Sequence, residues 1–462
     1  MKGKIVENIE VTDIADKGLA VGRSNERVVF VEGAVPGDIV DARIVKKRKN
    51  FLQGKITKMR HESEYRVDHF CTHFGVCGGC KWQNLDYKTQ LKFKEKNVND
   101  AFHKIGGLTD VTILPIIGSD PIRHYRNKLE YSFTDKRYLL EEEMNEEEKE
   151  MEGLGFHVPG KFNKIVDIEK CWLQDDLSNS IRLFVKKKAI EKKIPFFNPK
   201  NQTGVMRSLI IRNTSLGEWM VVVVFREEHP EWIEYIMGSI KSEFPDLTSL
   251  VYMINPKRND TIYDIKPHIY YGRDVIIEQL DDLKFKIGVK SFFQTNSKQA
   301  QVLYNITKEF AGLSGNEIVY DLYTGTGTIA AYLARSANSV LGIESVPEAI
   351  EDAKQNSSMN EILNTKFLAG DMAKMLTPEF IAINGQPDVV ITDPPRPGMH
   401  EKVTRTLLDC GAKKIVYVSC NAATQARDIA ILSENYTVEK VQPVDMFPHT
   451  SHVESVALLI RK

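Results

Sequence analysis

A strand-end cysteine, a glycine loop and a few carboxylates carry most of the chemistry open to this sequence. Ile415-Val416-Tyr417-Val418-Ser419 reads as a strand that delivers Cys420 to its carboxyl end, with a polar helix start from Asn421 onward. A helix N-terminus lowers a thiol pKa, so Cys420 reads as a nucleophile and not as a buried small apolar residue. Cys410, in Leu407-Leu408-Asp409-Cys410, reads as core. Asp321-Leu322-Tyr323-Thr324-Gly325-Thr326-Gly327-Thr328 lies at a strand-to-helix turn, where Gly325 and Gly327 permit a tight turn and close approach of a ligand. Glu344 ends the next strand, 17 positions after Gly327, placed to accept hydrogen bonds from a ribose diol.

The loop alone suits two cofactors. A nicotinamide dinucleotide would set its pyrophosphate on the helix N-terminus, and G-x-G-x-x-A is an acceptable fingerprint for it. S-adenosylmethionine has no phosphate but carries a sulfonium and an ammonium, which the acid Asp321 would favour. Two further strand ends favour the second cofactor. Val389–Thr392 runs into Asp393-Pro394-Pro395-Arg396-Pro397-Gly398, and Cys420 reaches the same carboxyl edge, where open parallel sheets bind ligands. A dehydrogenase needs neither feature. The Asp-Pro-Pro turn would also suit an amino-group methyltransferase, but Arg396 stands where those enzymes carry an aromatic residue, and they need no cysteine.

A cysteine is required when the methyl acceptor is a poor carbon nucleophile such as C5 of uracil. Thiolate addition to C6 makes the C5–C4–O4 unit an enolate, and a base must remove the C5 proton before the thiol can leave. Glu454, in His452-Val453-Glu454, supplies that base if the last strand is the reversed one in its sheet, because its start then lies where the parallel strands end.

The elements that must hold these groups follow from pattern. From residue 271 strands and helices alternate, which predicts a parallel doubly wound α/β sheet, and the two closing strands (Thr437–Met446 and Val453–Ile460) are joined too closely to be parallel. Residues 1–62 read as a five-strand OB-like barrel with 13 Lys or Arg against 8 Asp or Glu in the first 60 residues, including Lys46-Lys47-Arg48-Lys49, and RNA is the expected partner. Residues 63–270 form an α+β middle region, with a lysine-rich helix predicted over Leu91–Ile105 and strands at Lys128–Phe133, Ser208–Arg212 and Met220–Phe225. The acidic tract from Glu141 to Glu148 reads as a solvated insertion between strands, without a function. The fold class is therefore multidomain: barrel, α+β centre, and Rossmann-like domain at 271–462.

Cys71, Cys77 and Cys80 fall within ten residues, and Cys171 follows downstream; four such thiolates suit a structural zinc or an iron–sulfur centre, and spacing does not choose between them. A chain of 462 residues that is 42% hydrophobic and 27% charged excludes a disordered regulator and a disulfide-stapled miniprotein. No apolar run reaches the roughly 18 residues of a membrane span, and the N-terminus lacks a secretory pattern, so a cytoplasmic monomer is expected.

Taken together, Tyr125-Arg126-Asn127-Lys128, Ser291-Phe292-Phe293-Gln294-Thr295-Asn296, the Asp321–Gly327 loop, Asp393-Pro394-Pro395-Arg396, Ser419-Cys420-Asn421 and His452-Val453-Glu454 resemble, in order, the motifs of the RNA 5-methyluridine (uracil-C5) methyltransferases. The resemblance implies that the barrel is a TRAM domain. It implies Cys420 as nucleophile, Glu454 as proton acceptor, and Gln294, Tyr323, Glu344 and Asp393 in contact with S-adenosylmethionine or the reacting base. It further implies a 4Fe–4S cluster on Cys71, Cys77, Cys80 and Cys171. Relatives with both TRAM domain and cluster modify 23S ribosomal RNA, which is the favoured substrate; others act on the T-loop of transfer RNA. Thr324 departs from the family pattern, in which many relatives have cysteine. The rival readings are an inactive RNA-binding protein and a nicotinamide-dependent oxidoreductase.

Overall fold

Alternating apolar residues close the N-terminal segment into a barrel. The computed structural model of the chain describes every residue except 1–2, 16–17, 25–26, 141, 146 and 148. Strands β1 (Ile5–Ile14), β2 (Ala20–Ser24), β3 (Arg27–Glu32), β4 (Ile39–Lys47) and β5 (Phe51–His61) follow the order β1-β2-β3-β5-β4, with β1 pairing back onto β4. Val29 and Val31, two apart and therefore on one face, fill the interior with Ile9, Val40 and Ala42. Gly22 is required there, since a Cβ would lie 2.5 Å from Ile9 and 2.6 Å from the Glu10 carbonyl oxygen. The basic run Lys46–Lys49 covers the exposed end of β4 and the start of the turn into β5.

Helix α1 (Tyr87–Asp100) starts four residues before the predicted Leu91 because Asp86 caps it, its carboxylate accepting the Thr89 N–H at 3.0 Å. A wide π-type turn, Ala101–Ile105, completes it. Val98, Ala101 and Phe102 pack into the apolar core of the C-terminal sheet, and the short β6 (Thr112–Ile113) joins that sheet's edge. This segment thus precedes the C-terminal sheet in sequence and packs with it in space.

The middle region is built on one sheet: β7 (Lys128–Thr134), β8 (Gly153–Val158), β9 (Lys161–Asp167), β10 (Met206–Asn213), β11 (Trp219–Phe225), β12 (Ser249–Ile254) and β13 (Pro267–Gly272), in the order β13-β12-β11-β10-β7-β8-β9. Helices α2 (Asp176–Glu191) and α3 (Pro230–Glu243) bury their apolar stripes on it, through Ile181 and Val185, and Ile236 and Ile240. The acidic tract does lie between β7 and β8, where Glu143 pairs with Arg137 at 2.6 Å; residues 141, 146 and 148 of the tract are outside the described residues.

A two-stranded ribbon, β14 (Val275–Leu280) and β15 (Leu283–Gly288), and helix α4 (Ser297–Ala311) lead into the alternating region. There follow β16 (Ile318–Leu322), α5 (Thr328–Ala334), β17 (Ser339–Glu344), α6 (Pro347–Met359), β18 (Thr365–Ala369), α7 (Met372–Met375), α8 (Pro378–Asn384), β19 (Val389–Thr392), α9 (Glu401–Asp409), β20 (Lys414–Ser419), α10 (Ala422–Leu432), β21 (Tyr436–Val444) and β22 (Glu454–Arg461). The order is β18-β17-β16-β19-β20-β22-β21-β6, with β22 antiparallel to both of its neighbours. Strands β19 and β20 are apolar almost throughout because helices cover both faces. Among the described residues no helix is long and apolar enough to cross a membrane.

Candidate active site

The carboxyl edge of the C-terminal sheet gathers residues that lie far apart in sequence. Ser419 of β20 pairs with Ser455 of β22, so Cys420 and Glu454 stand side by side although 34 positions separate them. Leu322 of β16 pairs with Thr392 of β19, which brings Tyr323 and Asp393 to the same edge. The condition attached to Glu454 in the sequence is met: the final strand is the reversed one.

Burial of acids dominates the electrostatics here. Glu454, 4% exposed, has its carboxyl pushed up to about 8 by burial and by the neighbouring Asp393 charge. Burial, with the charge of Asp321, pushes Asp393 up to about 7. Asp321, fully buried, is likewise raised to about 7, chiefly by burial. One Asp321 oxygen accepts the Thr324 hydroxyl at 2.5 Å, and the other, Oδ1, is buried without a hydrogen-bond partner. An orphaned carboxylate oxygen under a glycine loop fits a cationic ligand group.

The loop itself has the expected conformation. Gly325 and Gly327 adopt positive φ, 55° and 76°, and a Cβ on Gly327 would lie 2.9 Å from that of Ala353. Tyr323, a bulky residue, also has φ of 63°, a conformation that costs on the order of 1–3 kcal/mol and persists where surrounding structure imposes it. Glu344 ends β17 as predicted and accepts the Gly325 N–H at 3.2 Å, which fixes the acid beside the loop. Gln294 precedes α4; its carbonyl accepts from Asn127 at 2.8 Å, and Asn127 also donates to Ser297. This bond joins two of the sequence motifs directly.

One expectation is corrected. Cys420 does precede the start of α10, with Asn421 as its cap, but its thiol is pushed up to about 11, not down. Burial and the charges of Glu454 and Asp393 outweigh the helix terminus and the nearby Arg396. Sequence reasoning assigned Arg396 and His452 no joint role, yet Arg396 donates to His452 Nδ1 at 2.6 Å across the mouth of the edge. Their presence in the Asp-Pro-Pro-Arg and His-Val-Glu motifs was the only signal. Asp428, also missed, accepts from Tyr417 at 2.7 Å and from the Met399 N–H at 2.8 Å, so it anchors the turn that follows Asp393. Lys94 and Asp445, both fully buried, pair at 2.6 Å and tie α1 to the loop that leads into Glu454.

Cys71, Cys77, Cys80 and Cys171 line one cavity in the middle region. Burial pushes the Cys77 and Cys80 thiols up to about 12, and the charges of the companion thiols add to it. All six cysteines are free, Cys410 is buried as expected, and among the described residues no group of three or more His, Cys, Asp or Glu is drawn together to hold a metal ion. The four cysteines thus share the lining of one cavity without converging into a ligand set.

Comparison with known proteins identifies the family. A family profile described as tRNA (uracil-5-)-methyltransferase matches residues 264–462, and a TRAM domain profile matches residues 1–57. A Porphyromonas gingivalis protein described as an uncharacterized RNA methyltransferase is 52% identical, over 98% of this chain and 99% of its own length. A Bacteroides thetaiotaomicron protein of the same description is 51% identical, over 96% and 99%. Among solved structures, the Pyrococcus abyssi tRNA (uracil-54, C5)-methyltransferase in complex with S-adenosyl-L-homocysteine superposes with a TM-score of 0.77 at 30% identity, covering 98% of this chain and all of that one.

Proposed function

This chain belongs to the RNA (uracil-C5) methyltransferase family, and we propose that it methylates C5 of a uridine in RNA through a covalent Cys420 adduct. The observation that carries the reading is the register of β20 and β22, which sets a thiol and a buried carboxyl side by side at the ligand edge of the sheet. S-adenosylmethionine supplies the methyl group. Cys420 adds to C6 of the uracil, and the electron pair moves through C5–C4 to O4. C5 then takes the methyl group, with departure of S-adenosylhomocysteine. Glu454 removes the C5 proton, the C5–C6 bond reforms as a double bond, and the Cys420 thiolate leaves. Both groups rest protonated near neutral pH, so each must release its proton to solvent before it acts, and the Arg396 charge favours the thiolate and the carboxylate alike.

Asp321 is assigned to the cofactor's ammonium group, which its orphaned Oδ1 supports, and Glu344 to the ribose diol. The glycines 325 and 327, Tyr323, Gln294 and Asp393 complete the cofactor and base pocket. Residues 1–62 serve as the RNA-binding barrel, 63–270 as the cysteine-bearing centre apart from α1 and β6, which join the core and sheet of the transferring domain at 271–462, in a cytoplasmic monomer. Cys71, Cys77, Cys80 and Cys171 are assigned to a 4Fe–4S cluster, supported by four thiols around one cavity. The substrate is 23S ribosomal RNA. A second reading, the T-loop uridine of transfer RNA, is favoured by the Pyrococcus relative.

The test is transfer of labelled methyl groups to unmodified 23S ribosomal RNA and to transfer RNA, with Cys420→Ala alongside. Label in one RNA, lost in the variant, supports the chemistry and selects the substrate. No label in either, with RNA still bound, leaves an RNA-binding protein.

A further inference from the structure

We propose that Phe70, Arg123, His124 and Trp172 form a platform that receives an unpaired nucleotide of the RNA next to the uridine being methylated. The inference rests on the RNA reading above and extends it to a surface outside the catalytic edge.

The Arg123 guanidinium carbon lies 3.9 Å from the centre of the Phe70 ring and 5.6 Å from that of Trp172. Phe70 and Trp172 meet edge to face at 6.0 Å, and His124 meets Trp172 in the same way, also at 6.0 Å. Arg123 and His124 are exposed, while Phe70 and Trp172 are half-buried. Lys170 Nζ lies 4.0 Å from the Trp172 ring but is already paired with Asp176. Among the described residues no carboxylate pairs with Arg123, so two aromatic rings hold an exposed cation whose charge is unanswered.

The position is as informative as the composition. Phe70 packs edge to face at 5.0 Å on His449, in the loop between β21 and β22 that leads to Glu454. The His449 carbonyl accepts from the Lys81 and Trp82 N–H groups, which binds the cysteine segment to that loop. Arg123 and His124 directly precede the Tyr125–Lys128 motif, whose Asn127 holds Gln294. The platform therefore adjoins the loop that leads to Glu454 and the motif that holds Gln294.

Aromatic rings and a guanidinium plane stack on the face of any base, and the cation meets the adjoining phosphate. A duplex conceals its base faces, so the fitting partner is single-stranded RNA. Phe70 and Trp172 each adjoin a cysteine of the cavity, Cys71 and Cys171, so a centre bound there would fix the two rings relative to each other.

The test uses the full chain, oligouridylate of about a dozen nucleotides, a duplex RNA, and the variants Arg123→Gln, Trp172→Leu and Trp172→Phe. Arg123→Gln and Trp172→Leu are each expected to weaken oligouridylate binding about 10-fold or more, with cofactor affinity unchanged. Trp172→Phe keeps near-normal affinity but loses the tryptophan quenching that accompanies binding. Duplex binding is insensitive to all three. Iron, sulfide and thiol content of each variant reports on the cavity, and the exposed Arg123→Gln decides the matter if Trp172→Leu misfolds. Unchanged oligouridylate affinity in Arg123→Gln, or equal losses on duplex, overturns the platform. A wild-type chain that transfers no methyl group, yet binds RNA through these residues, would overturn the enzymatic reading and leave the platform standing.

Discussion

Asp321 offers a quantitative handle on the proposed cofactor site. Its carboxyl is raised to about 7 in the free protein, chiefly by burial, and its Oδ1 has no partner. A cofactor ammonium binds the carboxylate and not the acid, so only the ionised fraction is competent, and binding expels a proton. The sign follows: affinity rises with pH up to about 7 and then levels, because the α-ammonium of S-adenosylhomocysteine, held by the ligand's own carboxylate, keeps its charge well beyond that point. At pH 5, two units below the Asp321 value, about 1% is ionised, so affinity should fall roughly 100-fold from its maximum, about 2.7 kcal/mol at 1.36 kcal/mol per unit. Calorimetric titration with S-adenosylhomocysteine from pH 5 to 8.5, in two buffers of different ionisation enthalpy, measures both affinity and protons released. Asp321→Asn should remove the acid limb and weaken binding at pH 7.5 by roughly 1.5–3 kcal/mol, the worth of a hydrogen bond to a charged group. Because Asp393 titrates in the same range, Asp393→Asn is the control. A flat profile, or an acid limb that survives in Asp321→Asn but vanishes in Asp393→Asn, would refute the assignment.

Glu454→Gln should still methylate but should trap the RNA on Cys420, because proton removal follows methyl transfer; a denaturing gel would then show a retarded protein band, and normal turnover would remove Glu454 from the mechanism. Lys94→Met leaves Asp445 buried and unpaired and should cost about 3–5 kcal/mol in urea unfolding, whereas adding Asp445→Asn should recover much of that loss. Equal destabilisation of single and double variants would mean that the pair is not what holds α1 to the Glu454 loop. Anaerobically purified protein should contain iron and sulfide that fall together in Cys77→Ser; zinc without iron would replace the cluster with a simple thiolate site.

Much of this protein is legible from local pattern. The strands ending at Glu344 and Ser419 fall where alternation puts them, because each element is specified within a dozen residues. The glycine loop is equally local, since Gly325 and Gly327 announce a turn that few other residues permit. The start of α1 was misplaced because the pattern of apolar residues is visible along the chain while the capping bond from Asp86 to Thr89 is not.

What the sequence left conditional were the meetings between distant segments. Cys420 and Glu454 share an edge only because β22 inserts between β20 and β21, and either neighbouring position would satisfy the alternation of the strand equally well. The Cys420 thiol illustrates the same limit in electrostatics: the helix start beside it is local, but its burial and the charges of Asp393 and Glu454 come from other strands and prevail. Lys94 and Asp445, 351 positions apart, read as ordinary surface charges until packing buries them together. Residue type and spacing determine which elements form and which chemistry each can offer. Strand order and burial, set by the summed packing of the whole chain, decide which of those groups meet and in what state of charge.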